Sequence, residues 1–140
     1  MYFPPIYELN LVGVWNPGVP NRERIALRPN ETVNMGQYAI VLARRIDQEL
    51  VRPLQGHFYH LPDDVVAPPA WVVIFTRAGE NFSQVNQQSG NTEQYYFLGE
   101  KKTLFHDPQV VPVVIRLEHI LIGAQIRETQ ASMKRIGSGA

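Results

Sequence analysis

The residues of this chain that could do chemistry are few, and the four histidines come first. His57-Phe58-Tyr59-His60 sets two imidazoles three residues apart. On a helix that spacing would put both on one face, where they could share a metal ion. In a strand it sends them to opposite faces. The segment reads as a strand, so hydrogen-bonded or exposed histidines are expected there. His106-Asp107 and Glu118-His119 are adjacent pairs, and strand neighbours also diverge; a site would need His106 and His119 to meet across strands. Asp63-Asp64 could bind a cation, but the rest of an oxygen-ligand loop is missing, and after Pro62 the pair fits a solvated turn. Convergence of His57, His60, His106 and His119 with Asp63-Asp64 would make a small metal-dependent enzyme or binder. That is the first alternative reading of the chain.

Other chemistries find less support. There is no cysteine, which removes disulfides, thiolate catalysis and Cys-ligated zinc together. Ser83, Ser89, Ser132 and Ser138 all fall in a polar stretch or the tail, and none sits in a G-x-S-x-G elbow. No Walker loop or G-x-G-x-x-G occurs. The sequence therefore nominates no catalytic residue, no metal ligand set and no cofactor. Thirteen basic residues balance thirteen acidic ones, so a chain-wide field that would gather nucleic acid or anionic lipid is absent. Ten of the basic residues are Arg, which bind carboxylates and phosphates bidentately, so a local anion site stays open. Arg44, Arg45, Lys101 and Lys102 are the candidate anion contacts, and Tyr95-Tyr96-Phe97 could stack bases. Asp47, Glu49 and Glu100 are interspersed among them, and in a strand part of the aromatic trio must face the core. Nucleic-acid binding is kept as the second alternative.

The elements that must position these groups are β-strands. Eleven Pro and ten Gly punctuate 140 residues, and the segments between are β-branched and aromatic, the spacing of a sandwich or barrel within a single domain. Ile6 to Trp15 reads as a first strand with Tyr7, Leu9, Leu11 and Trp15 on one face, closed by Asn16-Pro17-Gly18. Glu23 to Arg28 is a second, with Glu23, Ile25 and Leu27 opposed by Arg24, Ala26 and Arg28. Gln37 to Arg45 is a third, with Tyr38, Ile40 and Leu42 together. A looser stretch from Ile46 to Gln55 precedes a short strand from His57 to Leu61 and a wide loop through Pro68-Pro69. Trp71 to Thr76 is the most apolar run, expected to be a central strand with Trp71 and Phe75 buried. Ala78 to Asn91 reads as a mobile polar loop. Gln94 to Leu98 and Thr103 to His106 read as a hairpin around Gly99-Glu100-Lys101, with Gly99 taking a positive φ. Val113 to Ile122 is the last strand, with Val113, Ile115, Leu117 and Leu121 on one face. From Ala124 the period changes: Ile126, Met133 and Ile136 fall near helical spacing, predicting a short helix or flexible tail after a domain of residues 1–123.

Two of these strands carry a resemblance. Glu23-Arg24-Ile25-Ala26-Leu27 is similar to the E-x-V-x-L strand of lamin-tail domains, and Val33-Asn34-Met35-Gly36-Gln37-Tyr38-Ala39-Ile40 resembles that family's V-D-L-S-G-W-x-L stretch. Phe58-Tyr59-His60-Leu61-Pro62 and Trp71-Val72-Val73-Ile74-Phe75 follow in the family's order. Tyr38 stands where the family has Trp, and the Gly is displaced by one position. The resemblance spans residues 6–122 and implies an immunoglobulin-like β-sandwich of about seven to eight strands that serves as an interaction module without a catalytic set.

The reading is then an all-β, non-catalytic module that binds another protein or copies of itself, or takes part in a structural assembly. Candidate partner-surface residues are Asn81, Phe82 and Gln87 in the polar stretch and Ile126, Met133 and Ile136 in the tail. The N-terminus lacks a basic segment followed by an apolar one, and no apolar run approaches the roughly 20 residues of a spanning helix. A cytoplasmic protein without membrane attachment is expected.

Overall fold

A computed structural model describes residues 4–48 and 50–128. The segments rich in β-branched and aromatic residues form ten strands. They are β1 (Leu9–Trp15), β2 (Arg24–Pro29), β3 (Val33–Asn34), β4 (Tyr38–Arg45), β5 (Val51–His60), β6 (Val65–Val66), β7 (Trp71–Phe75), β8 (Phe82–Val85), β9 (Thr92–Phe97) and β10 (Val110–Arg116). A single 3₁₀ turn, Met35–Gln37, lies between β3 and β4; the Asn34 side chain caps it by accepting from the Gly36 N–H. The described residues contain no α-helix and no helix long and apolar enough to cross a membrane.

The strands assemble into a five-stranded sheet of order β1-β2-β7-β9-β8, a three-stranded sheet of order β10-β4-β5 and the small pair β3-β6. All neighbours are antiparallel except β7 and β9, which run parallel. Period-two alternation sends Ile25 and Leu27 of β2, Val72 and Ile74 of β7 and Tyr96 of β9 inward. Tyr38, Ile40 and Leu42 of β4 join the same cluster, so the two larger sheets share one core, the two-layer arrangement of a β-sandwich. Met35, Leu61, Val66 and Phe105 close its ends. The phenols that enter this core keep polar partners: Tyr96 donates to Asp64 at 2.9 Å and Tyr38 to Glu8 at 2.7 Å. Among the described residues no buried side-chain nitrogen or oxygen lacks a hydrogen bond.

Several elements differ from expectation. A one-residue bulge in β1 between Leu11 and Gly13 shifts the register. Leu9 and Leu11 face the core, but Trp15 pairs with Arg24 on the opposite face, and Tyr7 lies outside the strand and exposed. The stretch from Ile46 to Gln55 is not loose throughout, because β5 begins at Val51 and carries its own irregularity opposite β4. The polar segment from Ala78 to Asn91 holds a strand, β8, which pairs with β9. The hairpin expected around Gly99 does not form: β9 pairs with β7 and β8, while Thr103 to His106 is irregular, although Gly99 does take a positive φ of 78°. The last strand is Val110–Arg116 and ends where the Leu117 N–H donates to Gln37 O; Ile120, Leu121 and Ile122 beyond it are exposed. Trp71–Phe75 is central in its sheet, as expected, but Trp71 and Phe75 themselves are only half-buried and point outward. Residues 124–128 are not helical; the rest of the expected tail helix, with Met133 and Ile136, lies outside the described residues.

Candidate functional site

The outward face of the five-stranded sheet is where side chains of one chemical kind gather. Register across the strands sets Trp15 beside Arg24, Arg24 beside Phe75, and Phe75 beside Phe97. The next row runs Gly13, Ala26, Val73, Tyr95, Phe82. Beyond it come Trp71, Glu93 and Gln84, with Arg28 following Leu27 on the neighbouring strand. Strand geometry brings such neighbours to about 5 Å, within reach of ring and guanidinium contact.

The contacts form a continuous lattice. Trp15 and Trp71 lie 5.7 Å apart, centroid to centroid. Phe75 stacks on Phe97 at 5.4 Å, and Phe82 on Tyr95 at 4.6 Å. The Arg24 guanidinium sits over both Trp15 (5.1 Å) and Phe75 (5.7 Å). Arg28 covers Trp71 at 4.4 Å, and Arg77 covers Phe75 (4.8 Å) and Phe97 (5.0 Å). Each stack draws on the quadrupole of the ring and on apolar contact. Ala26 and Val73, outward-facing by alternation, are consequently buried beneath this layer. Burial and the neighbouring Glu93 together push the Tyr95 hydroxyl above its ordinary pKa, so it stays protonated. The face forms an open groove of about 720 Å³ rather than an enclosed pocket.

A buried carboxylate ties the end of this sheet to the loops beside it. Glu23 is 1% exposed. Its Oε1 accepts from Thr76 Oγ1 (2.9 Å) and the Leu104 N–H (2.6 Å). Its Oε2 accepts from the N–H groups of Gly18 (2.7 Å) and Phe105 (3.0 Å). Four donors compensate the desolvated charge. Gly18 donates from a positive φ of 77°, where a Cβ would lie 3.2 Å from the His106 backbone, a position that suits glycine. Glu23 thus holds the Asn16–Gly18 turn, the start of β2, the end of β7 and the Leu104–Phe105 loop together.

The residues singled out from sequence are dispersed. His57 Nδ1 is 3.2 Å from Tyr59 Oη, His60 Nε2 is 2.7 Å from Gly36 O, and His106 Nδ1 is 3.3 Å from Thr103 O. His119 is exposed beyond β10. Among the described residues, no three His, Asp or Glu side chains gather where a metal could be held. Asp64 accepts from Tyr96, and Asp63 is exposed beside the 3₁₀ turn. Arg44 pairs with Asp107 at 3.0 Å, and Arg45 donates to Gln48 O. Lys101 and Lys102 instead line a separate groove of about 390 Å³ with His106 and Glu100, so the four candidate anion contacts do not form one site. Asn81 accepts from the Phe97 N–H, Phe82 belongs to the stacked face, and Gln87 lies in the exposed β8–β9 turn. Ile126 is 77% exposed.

Sequence reasoning missed Trp15, Arg24, Arg28, Trp71, Phe75 and Arg77 as a site. The signal was present: Arg24 and Arg28 alternate on the face opposite Ile25 and Leu27, as Trp71 and Phe75 do opposite Val72 and Ile74. It pointed elsewhere because large aromatics in an apolar run are usually core. Comparisons with protein-family models, curated proteins and solved structures find no match for this chain.

Proposed function

We propose that this chain is a non-catalytic protein-binding module, an immunoglobulin-like β-sandwich of lamin-tail type, that receives its partner on the outer face of the five-stranded sheet. The observation that carries this reading is the lattice of Arg24, Arg28 and Arg77 over Trp15, Trp71, Phe75 and Phe97, spread across an open groove. Trp, Tyr and Arg supply most hot-spot energy at protein interfaces, because they bury large area with little rotamer freedom to lose. Here the rings are already held by stacking, so ordering them on binding costs less. Supporting the lamin-tail reading, the Glu-x-Ile-x-Leu segment leads from Glu23 into β2, the Met35–Gln37 turn leads directly into β4, and the apolar Trp71 segment is the centre of the larger sheet. The setting we assign is cytoplasmic.

A second reading, self-assembly, draws on a different observation: Ile120, Leu121 and Ile122 are 71%, 101% and 92% exposed, separated from the end of β10 by three residues. Such a run favours a covering partner.

An array of peptides spanning acidic, basic, neutral and apolar compositions tests the main reading. It is probed with the wild-type chain and with a Trp71→Ala, Phe75→Ala double variant whose circular dichroism matches wild type. Peptides bound by the former and lost by the latter support the face as the binding surface. An array without binders, or binders indifferent to the double variant, overturns it.

A further inference from the structure

We infer that the partner seated on this face is an extended acidic segment of a protein, its carboxylates held by the guanidinium edges of Arg24, Arg28 and Arg77. The inference rests on the binding-module reading above and adds the chemistry of the ligand. A stacked guanidinium has its planar face occupied by the ring, which leaves its N–H edge as the group still to be satisfied. Arg24 lies between two rings, as does Arg77, and Arg28 lies over one. Their remaining hydrogen bonds are modest: Arg24 donates to Arg22 O at 2.9 Å and Arg77 to Ala78 O at 3.2 Å.

Charge complementarity points the same way. Arg22, Arg24 and Arg77 line the groove and Arg28 adjoins it, against a single carboxylate, Glu93. Among the described residues these four arginines make no ion pair, whereas Arg44 and Arg116 on the other sheet do, with Asp107 and with Glu8 and Glu118. A chain of zero formal net charge thus sets four arginines without an ion pair along one face, against one carboxylate. Bidentate carboxylate binding suits a pre-oriented guanidinium fork.

Spacing narrows the ligand further. Arg24 and Arg28 are four residues apart on β2, about 13 Å at the strand rise. An extended peptide lying along that strand matches this with acidic residues at i and i+4. Single-stranded nucleic acid is the competing anion, but it needs free ring faces for its bases. On this sheet those faces are largely taken: Arg24 and Arg77 cover Phe75, Arg28 covers Trp71, and Phe82 and Tyr95 cover each other.

The test uses a property of the chain itself. Both of its tryptophans, Trp15 and Trp71, lie on this face, so intrinsic fluorescence reports occupancy without a label. Three probes are titrated: a short extended peptide with Glu at alternate positions, the same peptide with Gln for every Glu, and a single-stranded oligonucleotide of mixed sequence. The expected result is saturable binding of the Glu peptide, weakened by salt and roughly tenfold weaker in Arg24→Glu or Arg28→Glu, with unchanged circular dichroism. Arg24→Lys, which keeps the charge but not the fork, weakens it by a smaller factor. Equal binding of the Gln peptide overturns the acidic partner while leaving the face as a protein-binding surface. Tighter binding of the oligonucleotide overturns it in favour of nucleic acid. Absence of any Glu-peptide signal overturns it outright, and the array then decides separately whether the face binds protein at all.

Discussion

On the outer side of the five-stranded sheet, rings and guanidinium groups interlock over Ala26 and Val73. On the outer side of the three-stranded sheet the rows read Ile115–Ala39–His60, Val113–Val41–Phe58 and Val111–Ala43–Pro53, and none of these carries a permanent charge. Both layers bury the small residues of their central strands: Ala39, Val41 and Ala43 are as covered as Ala26 and Val73. The difference lies in what is left pointing at solvent. The larger sheet presents guanidinium donors held over rings, while the smaller presents mainly apolar area, with Phe58 57% and Ile115 37% exposed, and keeps its polar groups, His60 and Arg45, at the ends of its rows. Directional donors can select a partner, and apolar area alone mainly adds affinity. Beneath the first face, the Glu23 carboxylate braces the end of the sheet.

The comparison breaks most severely at that brace. Glu23→Ala leaves the N–H groups of Gly18, Leu104 and Phe105 and the Thr76 hydroxyl without their acceptor. Each buried unsatisfied donor costs about 1–3 kcal/mol, so urea unfolding is expected to show a loss of about 3 kcal/mol or more. A loss under about 1 kcal/mol would mean that water reaches these donors freely.

The two outer layers themselves are compared by truncating one ring from each. Trp71→Ala removes a half-buried indole together with its Trp15 and Arg28 contacts and is expected to cost about 1.5–2.5 kcal/mol, less than a fully buried tryptophan. Phe58→Ala, on the apolar face, stays within about 0.5 kcal/mol. Equal losses for the two would erase the distinction between an interlocked and a merely apolar layer.

A smaller effect concerns the clasp between the sheets. Glu8 precedes β1 and accepts from Tyr38 of β4 and Arg116 of β10. The Tyr38 hydrogen bond, aided by Arg116, holds the Glu8 carboxyl below its ordinary value of 4.5. A depressed folded-state pKa stabilises the fold above the unfolded value, and this contribution is lost as pH falls through the folded one. The urea midpoints of wild type and Glu8→Gln are therefore expected to differ at neutral pH and to converge as the pH falls from 4.5 through the lower folded value. A gap that widens with acid would reverse the sign of the argument. Smallest of all, Arg28→Lys keeps the charge over Trp71 but loses the planar stack, and is expected to cost about 0.5 kcal/mol. A loss several times larger would make Arg28 a pillar of the layer rather than a cover on it.

Much of the fold was legible in particular residues. Ile25 and Leu27, Tyr38, Ile40 and Leu42, and Val72 and Ile74 all went inward as their alternation required, because the side-chain period of a strand is a local property. The apolar composition of Trp71–Phe75 marked it as central, and it lies third of five in its sheet. The site was less legible. Trp15 changed faces through a single bulge, and period-two reasoning carries no information about where an extra residue will be inserted.

What the sequence by itself determined is the all-β class, the inward faces of the central strands and the positive φ of Gly99. Only the tertiary structure decided which strands are neighbours. The parallel pairing of β7 with β9 sets Phe75 beside Phe97, and β8, hidden in a polar stretch, brings Phe82 onto Tyr95. It likewise decided that Glu23, a buried acid immediately before β2, would find donors more than 80 positions away at Leu104 and Phe105. The physical reason is common to all three: alternation needs only adjacent residues, whereas pairing, stacking and the satisfaction of a buried charge need groups that the chain brings together from a distance.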